Sequence, residues 1–267
     1  MAVWRKTVRA GNVVKVREGC STVNRGRGGK RRRLKTEPTT EEQAAINRNR
    51  QLDTAGILLN ANFGKGDEHI VCGYQKDKRP ADRKAAERDR NNFIRRLNYW
   101  CEKGGIKLKW FAVTEVGKRG ALHHHFVITG GLTPQKLNEL WPYGRVHITP
   151  LEENGDYTEL AEYLIKKTDW EYEHIEEMKG RRRFSTSQNL IRPEPKTKRS
   201  KRKRIDTNPK PWKGYYIPKE SIYQSKDQYT GEDYITYRMV RIVPDFTYRK
   251  KYRETKRKRN KQFVGKE

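Results

Sequence analysis

The run Ala121-Leu122-His123-His124-His125-Phe126-Val127-Ile128-Thr129 constrains this chain more than any other. It is apolar, rich in β-branched residues and short, and so reads as a strand. Side chains two apart on a strand share a face. His123 and His125 therefore stand side by side, and His124 turns the other way. Three of the six histidines of the chain fall in this triplet. Two imidazoles on a rigid strand make half of a metal site; equally, they can simply hydrogen-bond to neighbouring chains.

Composition decides what the rest of the 267 residues can do. Charged residues make up 35% and hydrophobic ones 33%, and the formal net charge is +28. A core is therefore expected over part of the length only, and the partner is expected to be a polyanion, with nucleic acid ahead of an acidic membrane surface. No apolar run of spanning length is present, and the first residues lack the apolar segment of a secretory signal. Cys20, Cys72 and Cys101 are odd in number and widely spaced, which fits a reducing, intracellular setting better than a disulfide framework.

Residues 1–38 are dominated by Arg, Lys and Gly and read as a flexible basic arm. A capping-box pattern at Thr39-Thr40-Glu41-Glu42-Gln43 opens a helix that runs to Leu59, and Asn60 to Asp67 breaks it. His69 to Tyr74 is a short strand. A second helix lies between Asp82 and Lys103, with Phe93, Ile94, Leu97, Trp100 and Cys101 on one face. Ile106 to Val116 alternates as a strand and pairs through the Gly117-Lys118-Arg119-Gly120 turn with the histidine strand. A short helix opens at Thr133-Pro134, a strand at Gly144 to Thr149, and a helix at Asp156 to Thr168. Residues 193–211 read as a basic linker and 212–247 as a small β-rich extension, with β-like stretches Tyr215–Tyr223 and Tyr234–Ile242 on either side of a Thr230-Gly231 turn. Residues 248–267 form a basic tail. The fold class is α+β: an antiparallel, about five-stranded sheet with flanking helices across 39–192, with the β-rich extension and basic disordered tails.

Chemistry gathers on two elements. Hairpin pairing brings Glu115 across from His123 or His125, and two imidazoles with one carboxylate suit Mn²⁺ or Mg²⁺, with positions open to phosphate oxygens. On the later helix, Tyr163 and Lys167 are four residues apart and Lys166 is three away, so one face presents a phenol and an ammonium together. A tyrosine attacking a phosphodiester needs its proton removed and the charge on phosphorus offset. The plain alternatives are a surface charge at Glu115 and a packed ring at Tyr163. Trp212, Tyr215 and Tyr216 either stack on unpaired bases or form core of the extension, and core is favoured for most of them.

Taken together, the His-x-His strand, the upstream Glu115 and the Tyr163-Leu164-Ile165-Lys166-Lys167 helix resemble the HUH endonuclease superfamily. The nearest likeness is to gene II-like rolling-circle replication initiators of bacterial plasmids and phages. The resemblance covers about residues 55–190. His69 to Tyr74 matches the first strand motif loosely, Cys72-Gly73 standing where that motif ends, and Arg182 to Leu190 is similar to the stretch after the nuclease core. The resemblance implies a metal-dependent single-stranded DNA endonuclease and strand transferase that works through a 5′-phosphotyrosine. His123, His125 and Glu115 would hold Mn²⁺ or Mg²⁺, Tyr163 would be the nucleophile, and Lys167 or Lys166 would assist. Tyr157 is a possible second tyrosine. The implied partners are single-stranded or hairpin origin DNA and a host replication helicase or polymerase. A relaxase, a single-strand transposase and a non-catalytic basic nucleic-acid-binding protein are the other readings.

Overall fold

The computed structural model describes residues 2–21, 41–117, 120–178, 181–202, 204–226, 231, 233–245 and 247. In chain order the elements are β1 (Ala2–Ala10), β2 (Val13–Ser21), α1 (Glu41–Asn62), β3 (Glu68–Gly73), α2 (Arg83–Lys103), β4 (Trp110–Val116), β5 (Leu122–Ile128) and α3 (Pro134–Leu140). They continue with β6 (Val146–Pro150), α4 (Thr158–Lys166), α5 (Asp169–His174), β7 (Ser185–Thr186), β8 (Lys196–Ser200), β9 (Tyr215–Tyr216), β10 (Tyr223–Lys226) and β11 (Asp233–Arg241). The chain divides into two compact units, Asn47–Ile191 and a second one made of Met1–Ile46 with Arg192–Glu267.

Asn47–Ile191 is built on a five-stranded antiparallel sheet of order β6-β3-β5-β4-β7. Helices cover both of its faces. On one side Phe93, Leu97 and Cys101 of α2 pack with Ile70, Cys72 and Phe126 of the sheet. On the other, Leu58 and Leu59 of α1 and Leu164 and Ile165 of α4 pack with Phe111, Val113 and Val127. A strand buried on both faces tends to a continuous apolar run, which β4 and β5 keep at Trp110–Val113 and Phe126–Ile128 and break at Thr114, Glu115 and the three histidines. Each fully buried Leu, Ile or Phe contributes about 1.5–3 kcal/mol. Asp82 caps α2, its carboxylate accepting from the Ala85 N–H at 2.6 Å. α1 outruns its expected end at Leu59 and continues to Asn62, because Asn62 is buried and its side-chain amide donates to the Leu58 and Ile191 carbonyls. The α+β architecture read from the sequence, antiparallel with flanking helices and consistent with an HUH nuclease-like fold, is the one the chain adopts.

The other unit departs from expectation. Residues 2–21 are not a flexible arm: β1 and β2 form a hairpin in register from Ala2↔Ser21 to Ala10↔Val13. Gly11, at φ +59, makes the tight turn with Asn12, the pattern of a type II′ turn with positive φ at its first central residue only. The hairpin is the centre of a six-stranded sheet of order β10-β11-β2-β1-β8, with β9 on β11. Val14 and Val16 face Ile235, Tyr237 and Met239 in its core, and Trp212 and Tyr215 pack against them. The supposed linker 193–211 contains β8, a strand because the edge of β1 offers it hydrogen-bonding partners from Val3↔Ser200 to Thr7↔Lys196. The extension 212–247 is accordingly half of a sheet completed by the N-terminal hairpin. Expectations for 22–40, for the Thr230 turn residue and for 248–267 lie outside the described residues. Among the described residues no helix is long and apolar enough to cross a membrane.

Candidate active site

Strand register assembles the site. On β5, between β3 and β4, His123 lies opposite Glu115 and Gly73, and His125 lies opposite Val113 and Val71. Glu115, His123 and His125 therefore share one face, the face that α1 and α4 cover, near the end where β4 leaves the sheet and β5 enters. His125 Nε2 lies 3.1 Å from Glu115 Oε1, with both side chains buried. His69 of β3 joins them, its Nε2 3.3 Å from His125 Nδ1 and the two rings stacked at 5.5 Å. The sequence reads His69 as part of a strand motif only. Its role depends on the β3–β5 register, which brings the Nε2 of an otherwise ordinary strand histidine onto this face.

Two glycines make the seat for His123. A Cβ on Gly117 would lie 3.0 Å from His123 Cε1, 3.1 Å from its Nδ1 and 3.2 Å from the Ala121 carbonyl oxygen. A Cβ on Gly73 would meet His123 Cδ2 at an ordinary 3.6 Å. Gly117→Ala is therefore expected to cost about 1–3 kcal/mol through overpacking, and Gly73→Ala to stay within about 0.5 kcal/mol of the parent. Urea unfolding of the two variants checks the contrast, and equal costs would mean that His123 is not held as described.

α4 brings the phenol. Ala161, Leu164 and Ile165 bury its inner face, which leaves Tyr163 at the rim with 45% of its surface exposed. Its ring stands edge-on to His125 at 5.9 Å and to His69 at 6.4 Å. Lys167, at the helix C-cap, places Nζ 3.7 Å from Glu115 Oε1 and 5.1 Å from the centre of the Tyr163 ring. Lys166 is exposed and makes none of these contacts. Tyr157 is in the core, 4% exposed, with its hydroxyl donating to the Glu152 carbonyl at 2.8 Å. Its ring belongs to the core beneath α4, with Ala161 and Leu164, and its hydroxyl is spent on that carbonyl rather than offered at the rim.

The electrostatics favour neutral imidazoles at His69 and His123 and a charged carboxylate at Glu115. Burial pushes the Glu115 carboxyl upward, but contact with His125 and the charges of Lys167 and His123 outweigh it and hold the group below its usual range. Burial lowers His123, which Glu115 partly offsets. Burial, with His125 and His147 nearby, takes His69 down to about 4. Close by, burial raises Glu171, with Arg83 and a hydrogen bond from the Val116 backbone opposing the shift. Neutral imidazole is the form that ligates a metal. His123 Nδ1 and His125 Nε2 are buried without an aligned hydrogen-bond partner, although the latter sits 3.1 Å from Glu115 Oε1. Two neighbouring ligands of an octahedral ion at about 2.0–2.1 Å lie about 3 Å apart, which is the separation of this nitrogen–oxygen pair. Among the described residues no group of three or more His, Cys, Asp or Glu side chains is arranged to hold a metal ion.

Fold and site together define an α+β protein whose central sheet gathers imidazoles, a carboxylate, a lysine and a tyrosine at one end of a face. Residues 73–168, roughly a third of the chain, match the family model of the replication-associated proteins of the ORF2 and gene II protein type. The matched stretch contains Glu115, His123, His125, Tyr163 and Lys167, and the similarity supports a Rep-like replication initiator. No curated protein and no solved structure matches the chain.

Proposed function

We propose that the chain is a metal-dependent single-stranded DNA endonuclease and strand transferase that nicks a replication origin to start rolling-circle synthesis. The observation that carries this reading is the placement of Tyr163, solvent-accessible and edge-on to His125, with Lys167 between its ring and Glu115. A phenol so placed can attack a phosphate brought to the imidazole–carboxylate cluster. Its oxygen forms a bond to phosphorus, the bond from phosphorus to the 3′ oxygen breaks, and a free 3′-hydroxyl is left beside a 5′-phosphotyrosine. Lys167, rather than Lys166, offsets negative charge on the phenolate and on the new phosphotyrosine. His123, His125 and Glu115 would hold Mn²⁺ or Mg²⁺, and His69 orients His125 through its Nδ1. When bound, the ion offsets charge on the phosphate oxygens. Attack of the freed hydroxyl on the phosphotyrosine rejoins a strand. The partners in this reading are single-stranded or hairpin origin DNA and the host helicase or polymerase that extends the primer.

The test is incubation of the purified chain with labelled single-stranded DNA carrying candidate origin hairpins, in Mn²⁺ and in EDTA. The expected result is a denaturation-resistant protein–DNA band in Mn²⁺ only, with the nucleotide mass mapped by peptide mass spectrometry to Tyr163. An adduct on another residue, or cleavage that leaves no adduct, would count against the mechanism.

A further inference from the structure

The six-stranded sheet has two unlike faces, although Val8, Ala10, Val13 and Val240 are buried on the second near the Gly11 turn. One carries the core, together with Glu18, which is buried and paired with Arg5 at 2.6 Å. On the other, strand register lines up two adjacent rows across five strands. The first row reads Tyr223, Thr236, Arg17, Lys6 and Thr197 from β10 to β8. The second reads Ser225, Tyr234, Gly19, Trp4 and Arg199. At about 4.8 Å per strand each row spans roughly 19 Å. Lys6, Arg17 and Arg199 are exposed, and Tyr223 is 56% exposed. Among the described strand residues on this face there is no carboxylate.

Local details flatten this surface. A Cβ at Gly19 would come within 2.6 Å of Trp4 Cζ2, so the indole lies over the glycine against the sheet. The Arg17 guanidinium sits over the Tyr234 ring at 4.5 Å, and the Tyr223 ring is 6.1 Å from that of Tyr234. Each row therefore holds both kinds of group, two cations with the Tyr223 ring in the first and two rings with Arg199 in the second. An ordinary solvated sheet face would mix both signs of charge and bury its indole.

We propose that this face binds single-stranded nucleic acid, with bases stacking on Trp4 and Tyr223 and phosphates meeting Lys6, Arg17 and Arg199. A surface that interleaves rings with cations matches a single strand, whose unpaired bases stack on rings while its phosphates meet cations. A duplex hides its base faces and would leave the rings unused. The proposal stands on this unit alone and does not depend on the nicking chemistry.

The test uses the full chain with Tyr163→Phe, so that cleavage does not intrude, and titrates labelled oligothymidylate by fluorescence anisotropy over a range of KCl. Lys6→Ala with Arg17→Ala is expected to weaken binding at least 10-fold and to make the salt slope shallower by about 0.7 per lost cation. Tyr223→Ala and Trp4→Ala are each expected to weaken it about 10-fold without changing that slope. Tyr223, on the edge of the sheet, keeps the test valid if Trp4→Ala fails to fold. An abasic strand of equal charge should bind the parent more weakly than oligothymidylate does, and duplex DNA more weakly still. Parent-like binding by all variants, or equal affinity for abasic, duplex and single strands, overturns the proposal. Adduct formation at Tyr163, measured separately, would survive that failure, and failure of the adduct would leave the platform result intact.

Discussion

Tyr163→Phe is expected to lower strand cleavage by at least about 10⁴-fold, as removal of a covalent nucleophile does, with affinity for single-stranded DNA and the thermal midpoint unchanged. Phe keeps the aromatic ring that meets His125 and His69. The hydroxyl is on a rim residue, 45% exposed, so its loss leaves no cavity. Tyr157→Phe should do the reverse. Its buried hydroxyl donates to the Glu152 carbonyl, and removing the bond costs about 1 kcal/mol of stability, while cleavage stays at the parental level. Single-turnover cleavage and thermal unfolding of both variants separate the two roles. Full cleavage by Tyr163→Phe would move the nucleophile off α4, because Tyr157 points into the core.

Much of the nuclease-like unit is legible because its signals are local. The alternation through Leu122 to Ile128 and the short Gly117–Gly120 turn imply that Glu115 faces the histidines, and the register Glu115↔His123 is what forms. Spacing alone leaves Lys166 and Lys167 equivalent, since three and four residues both lie close to Tyr163 on a helix. Burial of Leu164 and Ile165 rotates α4 so that Lys167 reaches Glu115 and Lys166 faces away.

The N-terminal hairpin escapes the sequence for a different reason. Its turn signal, Gly11-Asn12, and its apolar alternation at Val14 and Val16 are present in the chain, but the density of Arg and Lys argues for an unpacked arm. What stabilises the hairpin is distant: β11 pairs Met239 with Val14, and β8 pairs Lys198 with Arg5. Lys196–Ser200 has no apolar alternation at all and becomes a strand only through the edge it meets. Such pairing leaves no local trace in either partner. The same holds for the ring-and-cation face, whose rows draw on five strands from both ends of the chain.

His124→Ala is expected to cost about 4 kcal/mol, the size of other buried ring-to-Ala truncations, and to lower the thermal midpoint by about 10 °C. Although it sits between the two histidines of the site, its ring faces the opposite layer. There it is fully buried against Tyr74, Trp141 and Phe126. Nδ1 is 2.9 Å from Thr114 Oγ1 and Nε2 is 2.9 Å from the Tyr74 hydroxyl, so truncation opens a cavity and also takes one hydrogen bond from each partner, leaving Thr114 to Arg90 and Tyr74 to Asp89. Burial, followed by the charges of Arg90 and Arg83, lowers the His124 pKa to about 3. In the unfolded chain the same imidazole takes its proton near pH 6.5. Between those values the unfolded state binds more protons than the folded one, so stability falls as the pH drops below about 6.5, and the loss levels off near 3. From pH 7 to pH 5 the His124 share of that loss is about 2 kcal/mol. Denaturant unfolding in EDTA at both pH values measures it. Half-buried His69 and His123 contribute in the same direction in both proteins, so the difference between parent and His124→Ala isolates His124. An equal pH dependence in the two would mean that the imidazole is not held neutral in the folded chain.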